Sequence, residues 1–258
     1  MKSIVPVSQS VFNNIVEFFP EPRQKQYGRK RCTKEPLVQG ILQVLVMGIG
    51  WNNVRVEGAS GSSCWRYCDD LQKRGLFNLI FLRLSQSMVD ISECAVDTSS
   101  ISSFRFASCV GWDGKHRKIA TKISLITDKK GLPVDVAFGK GSAHDLAFLP
   151  AHFGKLHLTR IRTFNADKGY TSIQLRRYLR TKGVFINMGI RKGDYQKKRG
   201  PRFRFDEEKY KVRFEIERTF SWLKSFRAIR IRRNRRLSMF KAFIFLALII
   251  VLLRNIEF

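Results

Sequence analysis

Near residue 90 the hydrophobic period of this chain changes, and that change restricts the fold more than any single motif does. Before it, apolar residues recur at helical spacing. The stretch 36–49, PLVQGILQVLVMGI, is too long for an ordinary strand and opens on a proline suited to a first helical turn. The stretch 62–75, SSCWRYCDDLQKRG, begins with serines that can cap a helix and ends at Gly75, a good residue to follow one. LFNLIFLRLSQSM continues as a further helix. After residue 90 the texture is that of strands between turns. ECAVD ends at Asp97, IATKISLITD (119–128) alternates ahead of KKGLP, and VDVAF (134–138) follows that turn. RIRTFNAD (160–167) reads as a fourth strand, with a helix over 171–182, and VFINM (184–188) as a fifth. A basic connector broken by Gly and Pro, RKGDYQKKRGPRFRF, leads to two C-terminal helices. Strands first, then strand alternating with helix, predict one mixed-sheet α/β domain over 91–258 behind a helical region over 1–90.

Charge narrows the partners. The 258 residues are 44% apolar, enough to fill a core, but 48 Lys and Arg face only 21 Asp and Glu, a net charge of +27. Such a field attracts polyanions, nucleic acid first. Ribosomal and membrane-surface proteins share this composition, so charge gives a class and no function. The five cysteines stand at 32, 64, 68, 94 and 109. Cys64 and Cys68 have no second Cys or His pair at zinc spacing, and Trp65 and Leu71 lie near their helical face, so packed, reduced thiols of a cytoplasmic protein are expected. MKSIVPVSQS lacks the continuous apolar core of a signal peptide. The apolar run FIFLALIIVLL, 243–253, falls short of the roughly 20 residues a bilayer requires, and predicts a buried closing helix and no membrane.

Asp97 and Asp167 share a placement, since each closes a strand in this reading. Ligand-binding groups of α/β sheets collect outside the carboxyl ends of strands. An acid that starts a turn or caps a helix stands in the same place, so either aspartate alone admits both readings. Glu217 says more. In EKYKVRFEIERTFSWLKSFR (208–227), Tyr210, Arg213, Glu217 and Lys224 are 3, 4 and 7 residues apart. At about 100° per residue they fall in one stripe of a helix. Val212, Ile216, Phe220 and Leu223 form a neighbouring apolar stripe, and Glu215 points roughly opposite to Glu217. Solvated charge pairs, worth roughly a few tenths of a kcal/mol each, explain Arg beside Glu but not a tyrosine and a lysine on the same stripe.

That spacing, Y-x2-R-x3-E-x6-K, resembles the Tyr-Arg-Glu-Lys signature of the DDE insertion-sequence transposases of the related IS-four and IS-five groups. AVDTSS is similar to their first-aspartate motif, and FNADKGYTSIQLRRYLRTKG to the second, with its helix. TKISLITDKKGLPVDVAFGKGSAHD resembles their strand pair, with a D-x-x-G-x-P turn and a closing His-Asp. GIGWNNV and WRYCDDLQKRGLF look like the N-terminal helices of IS-five-like members. The resemblance runs over most of the chain. It implies an RNase H-like mixed sheet with flanking helices, and a bacterial, nucleoid-associated transposase acting on double-stranded DNA, both element ends and target, as a homodimer in the active complex.

The implied chemistry suits the residues. In-line displacement at a phosphodiester requires an activated attacking oxygen and a stabilised leaving oxygen, and two divalent ions roughly 3.5–4 Å apart supply both. Magnesium prefers carboxylate oxygens and keeps several waters, so three acids suffice, and manganese fits equally. By resemblance, Asp97 bridges two Mg2+ ions while Asp167 and Glu217 each hold one. Lys224 and Arg213 would hold phosphates beside the scissile bond and Tyr210 would pack on the DNA, although Arg213 could serve only to orient Glu217. His144 and Asp145 support the metal site from behind, or else Ser142 or Asp145 caps the helix that follows. RAIRIRRNRR (227–236) adds Arg227, Arg230, Arg232 and Arg233 as phosphate contacts, which would give salt-sensitive, largely sequence-independent affinity. The N-terminal helices either read element ends as a helix-turn-helix or only pack on the core. Two other functions use the same features: a nuclease of this fold that cuts without joining, and a decayed, non-catalytic DNA-binding protein.

Overall fold

The computed structural model describes residues 7–24, 26, 30–189 and 205–255. Most of the basic connector expected at 191–205, and the first six residues of the chain, lie outside them. In chain order the elements are α1 (Gln9–Phe18), α2 (Lys34–Met47), α3 (Gly61–Lys73), α4 (Leu76–Met88), β1 (Glu93–Ser103), β2 (Gly111–Asp113), β3 (Lys118–Asp128) and β4 (Pro133–Lys140). There follow α5 (Leu149–Phe153), β5 (Thr163–Ala166), α6 (Ile173–Thr181), β6 (Phe185–Met188), α7 (Glu207–Tyr210), α8 (Val212–Ser225), α9 (Arg227–Arg230), β7 (Ile231–Arg232) and α10 (Leu237–Arg254). They group into two compact units. The first comprises Met1–Leu84, Ser102–Ser108 and Trp222–Phe258, and the second Ser85–Ile101 and Cys109–Ser221. The sequence boundary at 90 instead assigns every C-terminal helix to the catalytic part.

The first unit is built on α10. Its 18-residue window has a mean hydropathy of 2.3, long and apolar enough to cross a membrane, yet it is 78% buried within the fold. A helix apolar all round belongs in a core, as the apolar run predicts. α1 and α3 pack on it, and Trp51 stacks on Phe243 with ring centroids 6.0 Å apart. α2 approaches α3 closely because Gly40 carries no side chain: a Cβ there would stand 2.4 Å from Cys64 Sγ. Cys64 and Cys68 are fully buried thiols, and burial pushes Cys64 up to about 11. Helix α2 ends where Gly48 adopts φ +65°, the left-handed turn that closes many helices.

The second unit holds the mixed sheet, in the order β2-β3-β1-β5-β6 with β4 on the outer side of β3. β2–β3 and β3–β4 are antiparallel, whereas β1–β5 and β5–β6 are parallel. Strand–helix alternation produces the parallel half, because β5–α6–β6 is a crossover through a helix capped by Ser172. Two expectations change. β1 does not stop at Asp97; its pairing with β5 ends at Val96↔Ala166, but the strand runs on to Ser103 beside β3. The helix predicted through Tyr210, Arg213, Glu217 and Lys224 is two helices, because Lys211 N–H bonds back to Glu208 in a tightened turn that closes α7. Strands β2 and β7, of three and two residues, are too short to show a period in the sequence.

Candidate active site

Parallel pairing puts the two aspartates side by side. Val96 stands opposite Ala166 in the register, so Asp97 and Asp167 are the next positions on neighbouring strands. Each carboxylate is fixed from below by a backbone amide: Thr98 N–H donates to Asp97 at 2.8 Å, and Lys168 N–H to Asp167 at 2.7 Å. Asp167 thereby caps the short turn Lys168–Tyr170. Burial raises Asp97 to about 6, and the negative charges of Asp167 and Asp145 add to the rise against Thr98 N–H and Arg213.

Asp145 joins them through the strand next door. Its Oδ1 accepts from Thr98 Oγ1 at 2.8 Å and from Lys122 Nζ at 3.1 Å, and Lys122 also donates to the Ala143 carbonyl at 2.6 Å. Lys122 was not anticipated from the sequence. Its signal was a lysine within the largely buried KISLI of β3, and its side chain is only 15% exposed. His144 caps the next turn, its Nδ1 accepting from Leu146 N–H at 3.3 Å. Of the residues proposed as caps, neither Ser142 nor Asp145 has that bond.

Arg213 links β1 to α8. Its Nη1 lies 3.6 Å from Asp97 and its Nη2 lies 3.4 Å from Glu217, one helical turn further on. Tyr210 packs 5.7 Å from the same guanidinium. Glu217 is half-exposed, and Glu215 pairs instead with Arg218, so the two glutamates do face different partners. Among the described residues, no three His, Cys, Asp or Glu side chains stand close enough together to hold a metal ion. The donor chemistry nonetheless fits a hard divalent cation at Asp97 and Asp167, while Glu217 reaches the pair through Arg213.

Two devices set where α8 lies on the sheet. A ladder of buried amides crosses from β1 to α7: Asn165 donates to the Cys94 carbonyl at 3.2 Å, and Asn187 donates to Asn165 at 2.9 Å. Asn187 then brackets Asp206, giving a hydrogen to its carbonyl at 2.7 Å and accepting from its N–H at 3.0 Å. Further along, the β3–β4 turn docks on α8. Asp128 Oδ1 gathers the N–H groups of Lys130 and Leu132, and the turn carbonyls of Lys130 and Gly131 accept from Arg218 and Thr219. The D-x-x-G-x-P pattern read as a hairpin signal therefore also seats the helix that carries Glu217.

A second polar row lies in the same unit. His152 bonds Asp135 at 2.7 Å and Ser124 at 2.9 Å, a hydroxyl–imidazole–carboxylate arrangement shaped like a nucleophilic triad. Ser124 and His152 are fully buried and Asp135 is 2% exposed, so no substrate reaches the hydroxyl. The row ties β3, β4 and α5 together.

The remaining basic candidates belong to the first unit. Lys224, Arg227, Arg230 and Arg233 are exposed. Arg232 is a correction to the sequence reading: it is 0% exposed, donates to the carbonyls of Ser108, Asn234 and Arg235, and lies 5.1 Å from the Phe240 ring. A guanidinium consumed by carbonyls is not available to a phosphate.

Comparison with known proteins now adds to this geometry. The family model described as Transposase DDE domain matches residues 89–253, more than half of the chain. The chain belongs to the DDE transposase family. It is 30% identical over 133 residues to the "Putative transposase for insertion sequence element IS402" of Burkholderia cepacia, covering 48% of this chain and 58% of that protein. It is also 36% identical over 90 residues to the "Insertion element IS402 uncharacterized 16.2 kDa protein" of the same organism, covering 32% of this chain and 61% of that one. The chain thus spans about three-fifths of the length of these curated relatives.

Proposed function

We propose that this DDE transposase cleaves and joins the DNA ends of an insertion sequence of the IS-four/IS-five kind, on an RNase H-like fold, with Asp97, Asp167 and Glu217 as its catalytic carboxylates. The adjacency of Asp97 and Asp167 at the end of the β1–β5 pairing carries this reading. Asp97 and Asp167 would hold Mg2+ or Mn2+, with Glu217 completing the set. When bound, the ions would activate the attacking oxygen and stabilise the leaving one.

The chain's own groups do the rest. Thr98 and Lys168 N–H groups hold two carboxylates in fixed rotamers. Lys122 and Thr98 hold the Asp145 carboxylate in place by donating to it. Arg213 balances Asp97 and Glu217 and stands ready for a phosphate, with Tyr210 behind it. Lys224, Arg227, Arg230 and Arg233 would follow the DNA backbone, the helices of 1–90 would take part in recognising element ends, and two copies would pair the ends. The free thiols suit a reducing bacterial cytoplasm.

The test is strand nicking of element-end DNA by Asp97→Ala, Asp167→Ala and Glu217→Ala. Each should abolish cleavage and leave duplex binding within a few-fold. Undiminished nicking by any one removes that residue from the set. Supplying pre-cut ends then separates a transposase from a nuclease of the same fold, since only the former yields joined product.

A further inference from the structure

The first unit exposes large apolar side chains on a segment bonded to an arginine-rich stretch. Phe104 is 58% exposed and Phe106 is 87% exposed, with exposed Arg105 between them. They are not on a loose loop. Ala107 N–H bonds back to the Phe104 carbonyl at 3.1 Å, closing a turn whose two central residues are Arg105 and Phe106. Beyond the turn, Ser108 is fastened to the segment before α10: its N–H and its hydroxyl both donate to the Arg235 carbonyl, at 2.9 and 3.0 Å, and its Oγ accepts from Leu237 N–H at 2.8 Å. On the other side, Ser102 and Ser103 pair in parallel with Ile231 and Arg232.

Buried Arg232 holds the two segments together. Its guanidinium donates to the Ser108 carbonyl at 2.7 Å on one segment and to the carbonyls of Asn234 and Arg235 on the other. These bonds bring the turn that carries Phe104, Arg105 and Phe106 to the stretch that carries exposed Arg233, Arg235 and Arg236. Fixing a phenylalanine in water at a turn corner forgoes apolar burial. Four arginines around it make an unspecified apolar partner a poor match, since each would have to be desolvated. Duplex DNA satisfies both halves, with phosphates for the arginines and stacked bases for the ring.

We propose that this patch is a DNA-deforming contact in which the Phe106 ring, supported by Phe104, inserts between base pairs while Arg105, Arg233, Arg235 and Arg236 hold the flanking phosphates. Apolar wedges inserted between base steps unstack and kink a duplex, and aromatic rings stack on bases without regard to sequence. Arg232, expected from the sequence to touch DNA, is a positioning residue that acts through the two segments it joins. The inference rests on the reading that the chain works on duplex DNA.

The experiment uses the full chain and short duplexes carrying 2-aminopurine at successive steps, at low salt, with binding followed by anisotropy and unstacking by 2-aminopurine emission. The wild type should raise emission severalfold at one step. Phe106→Ala should remove the rise while weakening binding less than about tenfold, and Phe106→Trp should restore it. Arg235→Gln should leave unstacking in place and lower the slope of log affinity against log salt by about 0.9. Persistence of the emission rise in Phe106→Ala overturns the proposal. So does a Phe106→Ala protein that binds and unstacks like wild type but loses self-association in sedimentation, which would make the patch a protein interface. Absence of any duplex binding by wild type would refute the underlying reading instead.

Discussion

Replacing Gly131 with alanine tests whether the β3–β4 turn sets the position of the helix bearing Glu217. Gly131 has φ +81°, and a Cβ there would stand 3.0 Å from the Glu215 carbonyl oxygen and 3.2 Å from Thr219 Oγ1. The left-handed backbone alone costs alanine about 1–2 kcal/mol. The Glu215 oxygen is backbone and cannot swing aside, so α8 has to shift. That weakens the hydrogen bond from Thr219 to the Gly131 carbonyl, at a cost of about 1 kcal/mol more. Gly131→Ala should therefore lose about 2–3 kcal/mol. Gly183 provides the control within the same unit: its φ is +74° and a Cβ would meet nothing within 4 Å. Gly183→Ala should cost only the backbone strain, about 1–2 kcal/mol. Denaturant unfolding followed by circular dichroism measures both. Thr219→Val in each background closes a double-mutant cycle, which should show coupling with Gly131→Ala and none with Gly183→Ala. Equal losses at the two glycines, or no coupling at Thr219, would refute the docking argument.

Other perturbations probe neighbouring parts of the fold. Asn187→Ala strands the N–H and carbonyl of Asp206 and the Asn165 side chain, and should cost about 2–4 kcal/mol and depress nicking, measured by unfolding and by cleavage of element-end DNA. Ser124→Ala should destabilise by about 1–3 kcal/mol by leaving His152 Nε2 unpaired, yet keep full nicking activity; a catalytic hydroxyl would show the reverse. Asp113 is buried, which opposes its charge, but hydrogen bonds from Ser100 and His116 prevail and hold its carboxyl well below the usual carboxylate range. A depressed carboxyl stabilises the fold above its unfolded pKa and loses that contribution as pH falls. Asp113→Asn should therefore flatten the acid limb of a stability–pH curve, and an unchanged limb would count against the assignment.

The order of elements was legible because period and turn chemistry are local. Gly75 announces a helix end through a backbone conformation, and β3, α6 and β6 lie close to where alternation and helical spacing place them. The length of β1 was not legible, since Thr98 to Ser103 are small and polar apart from Ile101 and stay in a strand because β3 and β7 pair with β1. Asp97 and Asp167 could be chosen because each directly follows an apolar strand stretch, but their adjacency comes from a register that no single segment contains. Lys122 and the asparagine ladder escaped for the same reason. A lone polar residue in an apolar strand tells that a partner exists, and the partner is supplied by another strand.

Arginine illustrates the limit most sharply. RAIRIRRNRR offers six chemically identical side chains at positions 227–236, and composition assigns them one role. The fold divides them by burial: Arg232 is withdrawn into the unit and the other five are exposed. Arg232 follows the residue whose strand partner is Ser102, so its side chain enters the unit and meets the carbonyls of Ser108, Asn234 and Arg235. A buried guanidinium is tolerable only when its N–H groups are used in this way. Its neighbours Ile231 and Arg233 point outward, as strand alternation requires. The exposed basic surface of this stretch is thus shaped by Arg232, the one of its six arginines withdrawn from it.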